Sequence, residues 1–406
     1  MNTKTSLVCG SALGALMALA MATGVSAQET TTAWKGAPQF SNDTLTFKVR
    51  GRVYMDVVSQ EVDRATGADF SAQVSRVRTA RLGVEGTWNQ NWAYKAEAAI
   101  SSAGGVTQWE DVVLEYKPND FTSIMVGNFK TVSLENISSS RYITFMERGP
   151  FNDIIDAGRV MNISAKMNGE NWTVQAAVSG DSINAADPTV VASGGSEQVS
   201  INARATWAPI ITDTQTLHLG IWARQRDRAD QGGFNYQVRN NTNYGARYVS
   251  SGAIGDADTM IGLEGLYIHG PFSLQGEYAN IDIDRTNGLQ QEANAYYLAA
   301  SWFLTGEKRN MDVKKGELGR TKILSPMTAG GFGAFELAAR YDSADLTDIT
   351  GVATAGEYTA WTLGATWYPF PYVRFMTNYT KSQNDNAAIG SDVDVDTLQF
   401  RAQFDF

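Results

Sequence analysis

The 406-residue chain carries 33 Lys and Arg against 43 Asp and Glu, a formal net charge of −10, with only two histidines. That balance argues against nucleic acid as a partner. The single cysteine, Cys9, excludes disulfides and thiolate metal sites from the remainder of the chain.

Residues 1–27 read as a cleaved secretory signal, with Lys4 before an apolar run (Leu7, Val8, Leu13, Leu16, Met17, Leu19) and Val25-Ser26-Ala27 as the small-residue cleavage site. Removing it leaves 32 basic and 43 acidic residues. No later run reaches the length of a spanning helix, so a bilayer destination leaves only a closed barrel. Residues 28–44 are polar and read as a periplasmic lead-in, and 45–406 as the barrel.

Alternation starts at Leu45 to Val58. Leu45, Phe47, Val49, Val53, Met55 and Val57 share one face, opposite Lys48, Arg50, Arg52, Tyr54 and Asp56. The same pattern predicts strands over 80–88, 92–101, 110–117, 122–129, 159–167, 172–179 and 198–207. In the second half it predicts 216–228, 259–269, 272–283, 294–304, 335–342, 358–368, 373–380 and the closing stretch from Thr397. About 16 antiparallel strands result, an all-β transmembrane barrel. Short turns, such as 89–91 and 270–271, alternate with longer polar loops at 59–75, 130–158, 180–197 and 229–258. The connection 306–333 breaks this rhythm, being long and basic where a short turn belongs. Trp88, Trp92, Trp172, Trp207, Trp302, Trp367 and Tyr368 near strand ends would form interfacial girdles.

Strand nine holds a file of cations. Leu217, Leu219, Ile221 and Ala223 take the lipid parity, which puts His218, Trp222, Arg224, Arg226 and Arg228 on the lumen parity. Arginines two apart would make rungs about 7 Å from one another, each able to hold an oxyanion by its fork. The alternative is that they rise above the membrane and pair with Asp227, Asp230 or lipid phosphates. Asp342, Asp345 and Asp348, and Asp385, Asp392, Asp394 and Asp396, fall in two predicted external loops and read as solvated. Neither His218 nor His269 lies in a hydrolase or metalloprotease motif, so an enzyme is not expected, nor is a bound cofactor.

The closing strand, T-L-Q-F-R-A-Q-F-D-F with a final Phe406, resembles that of bacterial outer-membrane barrels. Val126-Gly-Asn-Phe-Lys130, Ser133-Leu-Glu135, Ser138-Ser-Ser-Arg141 and Ile143-Thr-Phe-Met-Glu-Arg-Gly149 resemble the constriction-loop signature of the phosphate-selective porin O and P family. Trp302-Phe-Leu-Thr-Gly-Glu307 and Gly333-Ala-Phe-Glu-Leu-Ala-Ala-Arg340 resemble further landmarks. The resemblance implies a homotrimer of 16-stranded barrels in the outer membrane, among lipid and lipopolysaccharide, with loop 130–158, loop 229–258 and turn 306–333 folded into the lumen. It implies passive diffusion of small hydrophilic solutes, with preference for phosphate-like anions. Carried over by position, Arg52 and Arg78 match eyelet arginines, and Arg239 is the one basic rung on the fifth loop. Thr79, Asn136, Gln237 and Asn241 stand where the family has cations or rungs, which keeps a general diffusion channel as the alternative. The expected pore-facing set is Arg52, Arg78, Arg81, Lys130, Arg141, Arg224, Arg226, Arg228 and Arg239, with Glu147 and Arg148 holding the constriction loop.

Overall fold

The computed structural model describes residues 31–34, 36–100, 107–184, 197–227, 233–386 and 391–406. The expected signal segment, the expected rung Arg228 and the first residues of the fifth loop lie outside them. Each stretch of alternation becomes a strand. In chain order these are β1 (Thr31–Trp34), β2 (Pro38–Ser41), β3 (Leu45–Arg64), β4 (Phe70–Trp88), β5 (Trp92–Ile100), β6 (Thr107–Asn119), β7 (Thr122–Phe129), β8 (Val160–Asn168), β9 (Trp172–Ser179), β10 (Val199–Ile211) and β11 (Gln215–Asp227). The second half adds β12 (Phe234–Gln237), β13 (Ser250–His269), β14 (Phe272–Arg285), β15 (Gln290–Phe303), β16 (Asn310–Asp312), β17 (Glu317–Gly319), β18 (Ala334–Asp345), β19 (Glu357–Phe370), β20 (Val373–Asp385) and β21 (Val393–Asp405).

Setting aside the short β1, β2, β12, β16 and β17, 16 strands pair antiparallel with their neighbours, and β21 returns to β3 from Val393↔Arg64 to Asp405↔Arg52. Closure leaves no unpaired edge, the condition for crossing lipid with strands. The outward parity is apolar: Met55, Val57, Ile221 and Phe400 are about half exposed, while their neighbours Asp56, Trp222, Gln399 and Arg401 are buried inside. At the periplasmic rim, rings stack in pairs (Phe272 on Trp302, Phe335 on Trp367, Trp367 on Phe375), as an interfacial girdle requires. The lead-in is not featureless. β1 and β2 form a hairpin that continues the β3 ladder at Phe40↔Phe47, below the point where Phe406 meets Gly51.

The main differences from the sequence reading lie at the outer ends. β3 and β4 run on through much of the expected loop 59–75, and β13 begins at Ser250 within the expected loop 229–258. Both faces of these extensions meet water or loops, so alternation fades while ladder hydrogen bonds continue. Asp342 is not in a solvated loop. It lies on the inner face of β18, fully buried, with Arg340 Nε at 2.8 Å.

The interior is also not uniformly polar. Ile281 and Ile283 on β14 join Phe234 and Tyr236 from the fifth loop, and Phe151 and Ile154 from the third, in one buried apolar cluster. Burying these side chains draws both loops onto the β13 to β19 wall at about 1.5–3 kcal/mol per large side chain. One side of the lumen is thereby filled.

Candidate functional site

Loop 130–159 crosses the barrel and touches almost every wall. It contains two short helices, α1 (Leu134–Ile137) and α2 (Pro150–Ile154). Glu277, buried on β14, receives the Ser133 hydroxyl at 2.7 Å and the Leu134 and Glu135 amides at 2.9 and 2.8 Å. Tyr297 donates to its other side at 2.7 Å. Glu277 thereby seats α1. Further along, a Cβ on Gly149 would lie 2.2 Å from Asp342 Oδ1, so only glycine lets α2 approach β18 this closely. Replacing Glu277 with Ala strands two buried amides, each costing about 1–3 kcal/mol. The expected result is discrete current fluctuations in single-channel records, absent from the unmodified protein.

Two β-bulges aim the charges. The β3/β4 register jumps from Tyr54↔Thr79 to Met55↔Val77, leaving Arg78 as the extra residue. Arg78 then grips Glu147 with both arms, at 2.8 and 3.0 Å. On β6 the register skips between Ala96↔Val112 and Ala98↔Trp109, and Glu110 and Asp111 both find lumen partners. Bulges re-aim side chains in this way. A sequence read only for strict alternation misses them.

Apart from Arg78, the described members of the expected set fall into three groups. Arg52 and Arg81 lie on the β3 to β6 wall. Arg52 donates to buried Glu97 at 3.0 Å and to Ser140 of loop three at 2.8 Å, and Arg81 pairs with Glu110 at 2.8 Å. Arg224, Arg226 and Arg239 hold loops. Arg224 donates to the carbonyls of Ile155 and Asp156, Arg226 pairs with Asp258 at 2.7 Å and Asp156 at 3.1 Å, and Arg239 pairs with Asp153 at 2.6 Å. The inward parity of strand nine is present, but its described rungs are occupied by loop three.

Lys130 and Arg141 form the third group, together with Arg148 and with Arg374, which sequence reasoning had passed over. Lys130, Arg148 and Arg374 donate to neutral oxygens, and Arg141 donates to a hydroxyl and to a main-chain oxygen of the last residue, Phe406. Lys130 reaches Asn136 Oδ1 at 2.7 Å, Arg141 reaches Ser139 Oγ and the Phe406 main-chain oxygen, Arg148 reaches the Glu135 and Ser138 carbonyls, and Arg374 reaches the Ser140 and Ile143 carbonyls. Among the described residues, no Asp or Glu carboxylate lies within 4.0 Å of any of the four. Burial, with the Arg148 and Arg159 guanidiniums close by, holds the Lys130 ammonium well below the usual lysine range. Glu147 moves the other way for a carboxylate opposed by burial: Arg78 and Arg401 outweigh the desolvation and hold it well below the usual carboxylate range.

Exposure traces the aqueous path. Lys48, Arg81, Glu85, Lys95, Glu110, Asp111 and Arg159 have side chains 14–34 % exposed. Across the lumen, the pairs Arg204–Glu264, Arg226–Asp258, Arg309–Glu336 and Arg340–Asp342 are at most 6 % exposed. Water therefore runs along the β3 to β6 wall and the adjoining part of loop three. The turn between β15 and β18 narrows it from below: Leu318 N donates to Ser138 Oγ at 2.9 Å, and the Gly316 and Lys315 carbonyls accept from Arg204 and Lys166 at 2.7 Å.

Known proteins share this frame. The chain is 30 % identical over 359 residues to an uncharacterized protein of Caulobacter vibrioides, covering 85 % of this chain and 70 % of that one. It is 23 % identical to Porin O of Pseudomonas aeruginosa, covering 96 % and 98 %. Among solved structures, an anion-selective porin from Comamonas acidovorans superposes with a TM-score of 0.56 at 15 % identity, covering 89 % of this chain and all of that one. The trimer form of OmpT from Vibrio cholerae gives 0.53 at 13 %, covering 90 % and 100 %. The family described as phosphate-selective porin O and P matches residues 47–406. The 16-stranded barrel, its inward third loop and this match together make the chain a member of that family.

Proposed function

We propose that the protein is a passive outer-membrane channel that favours small anions, phosphate-like ones among them, and works as a homotrimer after removal of residues 1–27. Family and fold support an outer-membrane channel rather than an enzyme. The observation that carries the anion preference is the charge of Lys130, Arg141 and Arg148 on loop three, which among the described residues no Asp or Glu carboxylate approaches within 4.0 Å. Beside them the water-reached wall sets Lys48, Arg81, Lys95 and Arg159 against Glu85, Glu110 and Asp111. Local field, not the net acidity of the chain, decides which ion enters. Because these cations already spend donors on protein oxygens, the solute meets a field with few free forks, which suits fast passage over tight retention. The homotrimer is supported by the fold shared with a porin solved in trimer form.

The test is the reversal potential of single channels in planar bilayers across a KCl gradient, followed by titration with phosphate. Anion selectivity at low salt that fades as salt rises supports the reading; a cation-selective potential refutes it. A pH series adds a sharper expectation. Lys130 gives up its proton at lower pH than an ordinary lysine, so anion preference should decline as pH rises toward, but before reaching, the usual lysine range. Lys130→Met should lower the preference at neutral pH and remove the Lys130-linked decline.

A further inference from the structure

A cavity of about 380 Å³ lies at the outer mouth, between the fifth loop and the extended ends of β3, β4 and β21. Its composition differs from that of the constriction. Val62, Phe70, Val74, Val395 and the ring of Tyr248 give it apolar walls. Gln60, Gln73 and Asn243 supply amides, and among the described residues Arg76 is the one charged side chain lining it. Among the described residues Arg76 makes no ion pair, and its guanidinium carbon lies 5.6 Å from the centroid of the Tyr244 ring. The Tyr244 hydroxyl is buried without a hydrogen-bond partner. Gly245, at φ +90°, brings the loop so near that a Cβ would sit 2.6 Å from Gln60 Oε1. The loop is thus built to roof this space.

An unpaired guanidinium beside aliphatic and aromatic walls selects a ligand with the same two parts. We propose that this cavity captures small aromatic carboxylates, the carboxylate on Arg76 and the ring against Val62, Phe70 and Tyr248. Inorganic phosphate would bring charge for Arg76 but would face apolar walls that return nothing for its lost hydration. Acetate would fill too little of the walls. The volume falls in the range of small-molecule sites, and the position at the mouth places capture ahead of the constriction. Burial, with Asp56 nearby, pushes the Tyr244 hydroxyl up to about 12, so it remains a donor at neutral pH. Only the transport consequence rests on the anion-preferring reading; binding does not.

The experiment is isothermal titration calorimetry of the detergent-solubilised full chain with benzoate, with acetate as the control. Benzoate should bind at least tenfold more tightly than acetate. Arg76→Gln should weaken benzoate about tenfold, and Phe70→Ser should weaken benzoate while leaving acetate unchanged. Each variant is checked for the heat-modifiable gel migration of a folded barrel. Absence of benzoate binding at millimolar concentration, or equal binding by the unmodified protein and folded Arg76→Gln, overturns the assignment. Benzoate binding that depends on Arg76 in a channel found to be cation-selective would support the cavity while refuting the anion preference.

Discussion

Replacing Lys130, Arg141 and Arg148 together with Gln should reduce the anion-to-cation permeability ratio by about tenfold at low salt. A unit charge about 7 Å from a permeating ion in water contributes about 0.6 kcal/mol, so three approach 2 kcal/mol before screening. The Debye length is about 10 Å at 0.1 M salt, and the effect should shrink markedly towards molar KCl. Glutamine keeps donors for the oxygens that now accept from these side chains, which limits rearrangement of loop three. The measurement is reversal potential against a fixed KCl ratio at two absolute concentrations. A triple variant that keeps the full preference at low salt would move the selectivity to the wall residues Arg81 and Arg159. By contrast, neutralising Arg224 and Arg226 should act through the loop they hold, broadening conductance states, because both are sealed beneath residues 155 and 156.

Glu147→Ala should have the largest structural effect. Its carboxylate accepts from Arg78 at 2.8 and 3.0 Å and from Arg401 at 2.7 Å, while Arg401 also holds Asp56 with two 2.7 Å bonds. Removing one partner of a buried ion network leaves the others uncompensated, at a cost of about 3–5 kcal/mol. The barrel ladder does not depend on this network, so the loss should appear as undocking of loop three: larger and noisier conductance, and a lower temperature for the heat-modified gel shift. Acid should reproduce it in the unmodified protein. The docked carboxylate has its pKa depressed, so its stabilisation is fully present above the ordinary carboxylate range and is lost as pH falls below that range. Conductance should be steady from neutral pH down to about 4.3, the free glutamate value, and become unstable below it. In Glu147→Ala the Glu147-linked part of that transition should disappear.

What could be read directly from the sequence was whatever depends on near neighbours along the chain. Parity along Leu45 to Val58, or along Thr397 to Phe406, requires only that successive side chains alternate, and alternation of this kind located every barrel strand. Turn chemistry and loop length likewise marked the third loop and the odd turn 306–333. The tertiary structure alone decided which charges remain available. Among the described residues Arg224 makes no ion pair yet is covered by Ile155, 69 positions away, and Glu277 meets α1 across 142 to 144 positions. A bulge at Arg78 shifts one residue and changes its partner, with no trace in the hydrophobic pattern. Apolar residues on an inner face, such as Ile281 and Ile283, mark in the sequence only that something docks there. That loops three and five fill this side, and push water and uncancelled cations to the other, follows from packing between segments far apart in the chain.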